Sequence, residues 1–281
     1  MELLWLMELN PLTNTRKLSI LRCEEEACIE VQDMVVRETG LRIIVADSEG
    51  EENFAFVRTI PERPRPLILG LLFTTRIITG PGDVHKLVVK NQLAKVRLAN
   101  ACAMHEKLTT LRPTARLVSG VCGPEESVLG AWQACDLPPI TSSFSITPIA
   151  ITHAIRHLNA KMDIYRATGG THGAALADAK GTLHFIAEDV GRHNAVDRVI
   201  GQGLEAEINF EATALICSGR LTSDLVLKAA VARIPVVASI SAAVDSGIEL
   251  ADAAGISLVG FVRGARMNVY THPNRLSIDA T

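Results

Sequence analysis

Ala212-Thr213-Ala214-Leu215-Ile216-Cys217-Ser218-Gly219-Arg220 decides the fold. Its first six residues are almost continuously apolar, as in a strand covered on both faces. Ser218-Gly219-Arg220 then turns the chain into a helix predicted over Ser223 to Arg233. Pro235 to Ile240 repeats the buried-strand pattern, and Ser257 to Val262 repeats it again. Between them Ser246-Gly247-Ile248-Glu249 has capping-box spacing and opens a helix that Gly255 ends. Alternation of strand and helix at this spacing predicts parallel strands joined by right-handed crossovers. Ligands of such sheets sit beyond the carboxyl ends of the strands. Those ends carry Ser218-Gly219-Arg220, Ser239-Ile240-Ser241 and Arg263-Gly264-Ala265-Arg266. Two of the three bear arginine, which suits a diphosphate or a similar anion.

Working outward toward the N-terminus, Ala174 to Asp178 and Thr182 to Ala187 read as a hairpin turning at Lys180-Gly181. Thr152 to Lys161 reads as a helix. After the hairpin comes Glu188-Asp189-Val190-Gly191-Arg192-His193-Asn194-Ala195-Val196-Asp197, where acids, an arginine, a histidine and an asparagine crowd the start of another helix. Asp189 is the expected N-cap, and the positive helix end should direct Arg192, His193 and Asn194 at an anionic group. Nearer the N-terminus, Ile29 to Asp47 and Asn53 to Thr59 read as strands, with a turn at Glu38-Thr39-Gly40. Leu67 to Ile78 reads as a helix, whereas Lys86 to Arg97 fits either strand or helix. Gly120-Val121-Cys122-Gly123-Pro124 is a glycine-flanked loop that leaves a thiol uncrowded, and residues 124–145 look like a mobile connection.

The 281 residues can hold one large or two ordinary domains. A net charge of −3 gives no global reason to expect nucleic acid or an anionic membrane, and 4% aromatics argues against base-stacking platforms. No apolar run is long enough to span a bilayer, and the acidic start lacks the basic region of a signal peptide. The six cysteines (Cys23, Cys28, Cys102, Cys122, Cys135 and Cys217) show neither a C-x-x-C pair nor zinc-finger spacing. The expectation is therefore free thiols, a reducing compartment, the cytoplasm and no metal site. Cys217, ending a buried strand, reads as core filler.

The chain resembles the formate dehydrogenase accessory sulfurtransferases (FdhD). The resemblance is carried by Thr168-Gly169-Gly170-Thr171-His172, the run from Glu188 to Asp197, Ser218-Gly219-Arg220, Lys228-Ala229, and Gly260 to Tyr270. It is dense from Ser119 to Tyr270 and thinner over residues 32–90. It implies an α/β, three-layer sheet with flanking helices, like the cytidine deaminase fold, plus a smaller β-rich N-terminal domain. Residues 1–118 would form that α+β domain, and 119–281 the α/β domain carrying the sulfur-carrier loop and cofactor site. It also implies a cytoplasmic homodimer that takes sulfur from a cysteine desulfurase as a persulfide on Cys122. The sulfur would pass to bis-molybdopterin guanine dinucleotide before that cofactor enters formate dehydrogenase. The family's cofactor segment falls on Phe261, Val262, Arg263, Gly264, Ala265 and Arg266. His172, Arg192, His193, Ser218, Gly219 and Arg220 join them as expected binding residues.

The sequence departs from the family outline at three places. Ser119 stands where many members have a first cysteine, Thr75-Arg76 where they have Glu-Gly, and Ser241-Ala242-Ala243-Val244 where they have Ser-Ala-Pro-Thr. A serine cannot carry a persulfide. The alternative expectation is thus a non-enzymatic chaperone that binds the cofactor without moving sulfur. A zinc hydrolase of deaminase type is disfavoured, because the Cys/His ligand set it needs is missing.

Overall fold

The computed structural model describes residues 11–25, 27–48, 50–99 and 136–277. Ser119, Cys122 and their loop, with Cys102 and Cys135, lie outside the described residues. A single helical turn, α1 (Pro11–Asn14), leads into an antiparallel ribbon of β1 (Thr15–Glu24) and β2 (Ala27–Val36). A second sheet has the order β4-β3-β6-β5, built from β3 (Thr39–Ala46), β4 (Glu51–Thr59), β5 (Val84–Lys90) and β6 (Leu93–Leu98). The ambiguous 86–97 stretch is therefore a hairpin. Asn91 and Gln92 turn it in the left-handed region, a turn without the glycine that would have announced it.

Helix α2 (Pro64–Thr74) starts with prolines in its first turn, where a missing N–H costs nothing. It is apolar nearly all round because it is covered on two sides. One side packs on Leu41, Ile43, Val45 and Val96 of the four-stranded sheet. The other lies against α5 (Arg192–Glu205). The helix stops at Thr74, short of the expected Ile78, and Arg76 follows with a left-handed φ of 62°.

The larger sheet has the order β12-β11-β10-β9-β7-β8. Its centre is the predicted parallel trio of β9 (Ala214–Cys217), β10 (Val236–Ser239) and β11 (Ser257–Arg263). The hairpin β7 (His172–Ala177) and β8 (Leu183–Asp189) pairs antiparallel on one side, and β12 (Arg266–Val269) on the other. One face carries α3 (Pro148–Lys161) with Ile151, Ile155 and Leu158. The opposite face carries α5, α6 (Ser223–Val231) and α7 (Asp245–Ala254). A short α4 (Asp163–Thr168) precedes β7. The result is a mixed α/β architecture in which α2 stacks outside α5.

Two glycines set the α2–α5 spacing. A Cβ on Gly70 would fall 1.8 Å from the Asp197 carbonyl oxygen, and one on Gly201 would fall 1.9 Å from that of Pro66. The backbones thus touch, and two buried charge clusters hold them there. In the first, Asp197 takes Lys228 Nζ at 2.8 Å on both oxygens while Thr74 Oγ1 donates at 2.8 Å. Burial pushes the Asp197 carboxyl up and the Lys228 ammonium down, and their mutual attraction opposes both shifts. In the second, Asp189 takes Arg198 Nε at 2.7 Å and the Thr59 hydroxyl at 2.6 Å. Arg198 also donates to the carbonyls of Glu62 and Arg63.

Several expectations are corrected. Asp189 is not the N-cap of α5, since Gly191 holds that position; Asp189 is buried and faces Arg198 instead. Residues 136–145 are pinned rather than loose: Ile140 is buried, donates to Ala254, and accepts from Arg275 at 2.7 Å. Cys23 and Cys28 form a disulfide across the ribbon, directly opposite in register, a pairing invisible until the turn between them is placed. Ser246 does not cap α7, which begins at Asp245 with Val244 as its N-cap in extended conformation and no side-chain cap. Val244→Thr is therefore expected to raise stability by about 1 kcal/mol, because a hydroxyl there can accept a free helix N–H. A melting temperature equal to that of the parent would show that the position cannot use one.

Candidate functional site

The carboxyl ends of β9, β10 and β11 open into a cavity of about 450 Å³. Ser218 closes it from β9, Ile240 and Ser241 from β10, and Val262, Arg263 and Gly264 from β11. Thr152, Ile155, Arg156 and Asn159 form the remaining wall, one face of α3 at spacings of three and four residues. Among the described residues no carboxylate lines the cavity, whereas two guanidinium groups do. Phe261 has a left-handed φ of 51° at a bulge between β11 and β12, and its ring lies 5.4 Å from the Arg263 guanidinium. A planar cation stacked on a ring is presented as a rigid fork, which matches phosphate oxygens.

Behind Ser218 sits a polar cluster. The Gly173 N–H donates to Ser218 Oγ at 3.0 Å, and His172 Nδ1 lies 3.2 Å from the same oxygen. Burial lowers the His172 pKa, and the nearby charges of Arg192 and His193 lower it further. A neutral ring is thus favoured, and its tautomer sets whether Nδ1 accepts from or donates to Ser218. Arg192 lies over Gly219, where a Cβ would come within 2.8 Å of its side chain. Its Nε is buried with no hydrogen-bond partner among the described residues. His193 Nε2 meets Asp224 at 2.6 Å at the start of α6. Burial works to raise the Asp224 pKa. The His193 bond and charge, the Thr222 hydroxyl and Arg192 outweigh it and hold the carboxyl at about 2.

Of the residues expected from sequence, Val262, Arg263, Gly264 and Ser218 line the cavity. His172, Arg192, His193 and Gly219 form the cluster behind it. Phe261 supports Arg263. Arg220, Ala265 and Arg266 are exposed and outside the lining. Half of the Glu188–Asp197 run serves elsewhere. Glu188 accepts the N–H groups of Ile164 and Tyr165, capping α4, and takes the Thr171 hydroxyl. Asn194 donates to the Arg58 carbonyl and to Asp189. Lys228, one of the residues that carry the resemblance, is spent on Asp197. The sequence reading missed Arg156 and Asp224. The stripe Thr152, Ile155, Arg156, Asn159 was a signal for the first, since its spacing of three and four residues puts three polar groups on one face of the helix.

Cys217 is fully buried, and burial pushes its thiol up to about 11. It has almost no thiolate near neutral pH and is core filler, as the sequence suggested. No helix among the described residues is long and apolar enough to cross a membrane.

Fold and site together define an α/β protein with an arginine-lined cavity at a sheet's carboxyl edge. The chain belongs to the FdhD/NarQ family, whose model matches residues 36–277. It is 35% identical over 257 residues to the sulfur carrier protein FdhD of Xanthomonas axonopodis pv. citri, covering 88% of this chain and 87% of that one. It is 33% identical over 265 residues to the sulfur carrier protein FdhD of Sulfolobus acidocaldarius, covering 94% and 99%. A crystal structure of a candidate formate dehydrogenase accessory protein from Desulfotalea psychrophila shares the fold with a TM-score of 0.73 at 24% identity, over 94% of this chain and 99% of that one.

Proposed function

We propose that this protein carries sulfur on Cys122 in the maturation of formate dehydrogenase. A cysteine desulfurase in the cytoplasm is the donor, and bis-molybdopterin guanine dinucleotide is the client. The Cys122 thiolate attacks the terminal sulfur of the donor's persulfide, the bond between the two donor sulfurs breaks, and the donor leaves as a thiolate. A nucleophile of the acceptor then bonds to the outer sulfur as the S–S bond at Cys122 breaks, so that the sulfur leaves on the acceptor and Cys122 recovers its thiolate. The observation that carries this reading is the cavity lined by Arg263, Gly264, Ser218 and Arg156, with no carboxylate among the described residues. It suits the diphosphate of a guanine nucleotide. His172 and Ser218 hold a proton at the cavity wall. The buried, inert Cys217 leaves the carrier role to another cysteine. Function as a homodimer belongs to the same proposal.

The test is mass spectrometry of the intact protein after incubation with a desulfurase and cysteine. A gain of one sulfur that maps to Cys122 and is discharged by reductant is expected. No gain, with guanosine diphosphate still bound, would leave the chaperone reading, which Ser119 in place of a second thiol favours.

A further inference from the structure

Helix α3 has cavities on both of its flanks. The second, of about 430 Å³, lies between the helix and the β7–β8 turn, and Lys180, Gly181 and Thr182 close it. His153, Arg156 and His157 enter it from α3 at spacings of three and four residues. No carboxylate lines it, and its four basic side chains form no ion pair among the described residues. The acid adjacent in sequence, Asp178, is occupied by the turn itself. Its Oδ1 accepts the N–H groups of Lys180 and Thr182 at 2.9 Å, and its Oδ2 faces His184 at 3.4 Å. Gly181 is in the left-handed region, and a Cβ there would fall 2.3 Å from the Ala150 carbonyl oxygen, so the turn is fixed against the helix. Arg156 belongs to both cavities.

We propose that this second cavity binds a phosphate-bearing ligand group, and that Arg156 couples it to the first. An arginine and a lysine that converge with two imidazoles, with no carboxylate in the lining among the described residues, favour an anion, and the buried backbone at Gly181 gives the site a rigid floor. Two anions held by one guanidinium are not independent, so losing Arg156 weakens both sites. The proposal rests on the guanine-nucleotide reading only for that coupling; the second site stands on its own residues.

The experiment is a backbone amide NMR titration of the full chain with inorganic pyrophosphate, guanosine diphosphate and a short polyglutamate peptide. Pyrophosphate is expected to move the Lys180, Gly181 and Thr182 resonances. The exposed pair His157→Ala/Lys180→Ala should weaken that response about tenfold, as expected when charge-assisted contacts are lost. Arg263→Lys should leave it unchanged, and Arg156→Ala should weaken both this response and that of Ser218 and Gly264 to guanosine diphosphate. Pyrophosphate moving only Ser218, Ser241 and Gly264, or nothing, overturns the second site. Polyglutamate moving Gly181 while pyrophosphate does not would make it a protein docking face instead. Failure of guanosine diphosphate at Gly264 with pyrophosphate intact at Gly181 sinks the nucleotide reading alone.

Discussion

Gly70→Ala is expected to destabilise the protein by about 3 kcal/mol or more, against the usual gain of alanine in a helix. The added methyl carbon would sit 1.8 Å from a backbone oxygen of Asp197, and a backbone atom cannot rotate away as a side-chain tip can. Helices α2 and α5 would have to separate. Both charge clusters would open with them, because Thr74 and Thr59 reach their partners only at this spacing. Gly201→Ala should behave alike, since its Cβ would meet the Pro66 carbonyl. Gly80→Ala is the control, with nothing within 4 Å of its Cβ and an extended φ of −174°. Urea unfolding of the three variants decides the matter. A Gly70→Ala midpoint equal to that of Gly80→Ala would mean that the helices do not meet through their backbones.

Lys228→Met should cost about 3–5 kcal/mol, because it strands the buried Asp197 carboxylate. Thr74 alone would remain to satisfy it. The double variant Lys228→Met/Asp197→Leu should recover most of that loss, since an apolar pair of similar volume removes the desolvation penalty along with the attraction. The double-mutant cycle isolates the pair's coupling. Lys228→Met as stable as the parent would free the lysine for a role at the ligand site and contradict its placement against Asp197.

The sequence was legible where burial writes a long signal. β9, β10 and β11 are continuous apolar runs, and their parallel pairing followed from the helices between them. Gly181 and Gly255 marked a turn and a helix end because only a positive φ fits there. Polar residues were harder to read. Glu188 serves a helix that begins 25 positions before it, and Asp189 serves an arginine two turns further on. Nothing in local spacing tells a carboxylate aimed at a ligand from one aimed at a neighbouring helix. Arg263 and Ser218 were found because strand ends in a parallel sheet converge by geometry. Arg156 comes from outside that rule, on a helix that crosses the opposite face.

The clamp formed by Asp189, Asn194, Asp197 and Arg198 bears on what a sequence match is worth. A relative that had lost sulfur carriage would still need these side chains to keep α2 seated on α5. Much of the run that makes the family easy to detect therefore reports ancestry and architecture. Under the proposed function, sulfur carriage in such a relative would be judged from different positions: the cysteine loop and the arginine at the end of β11.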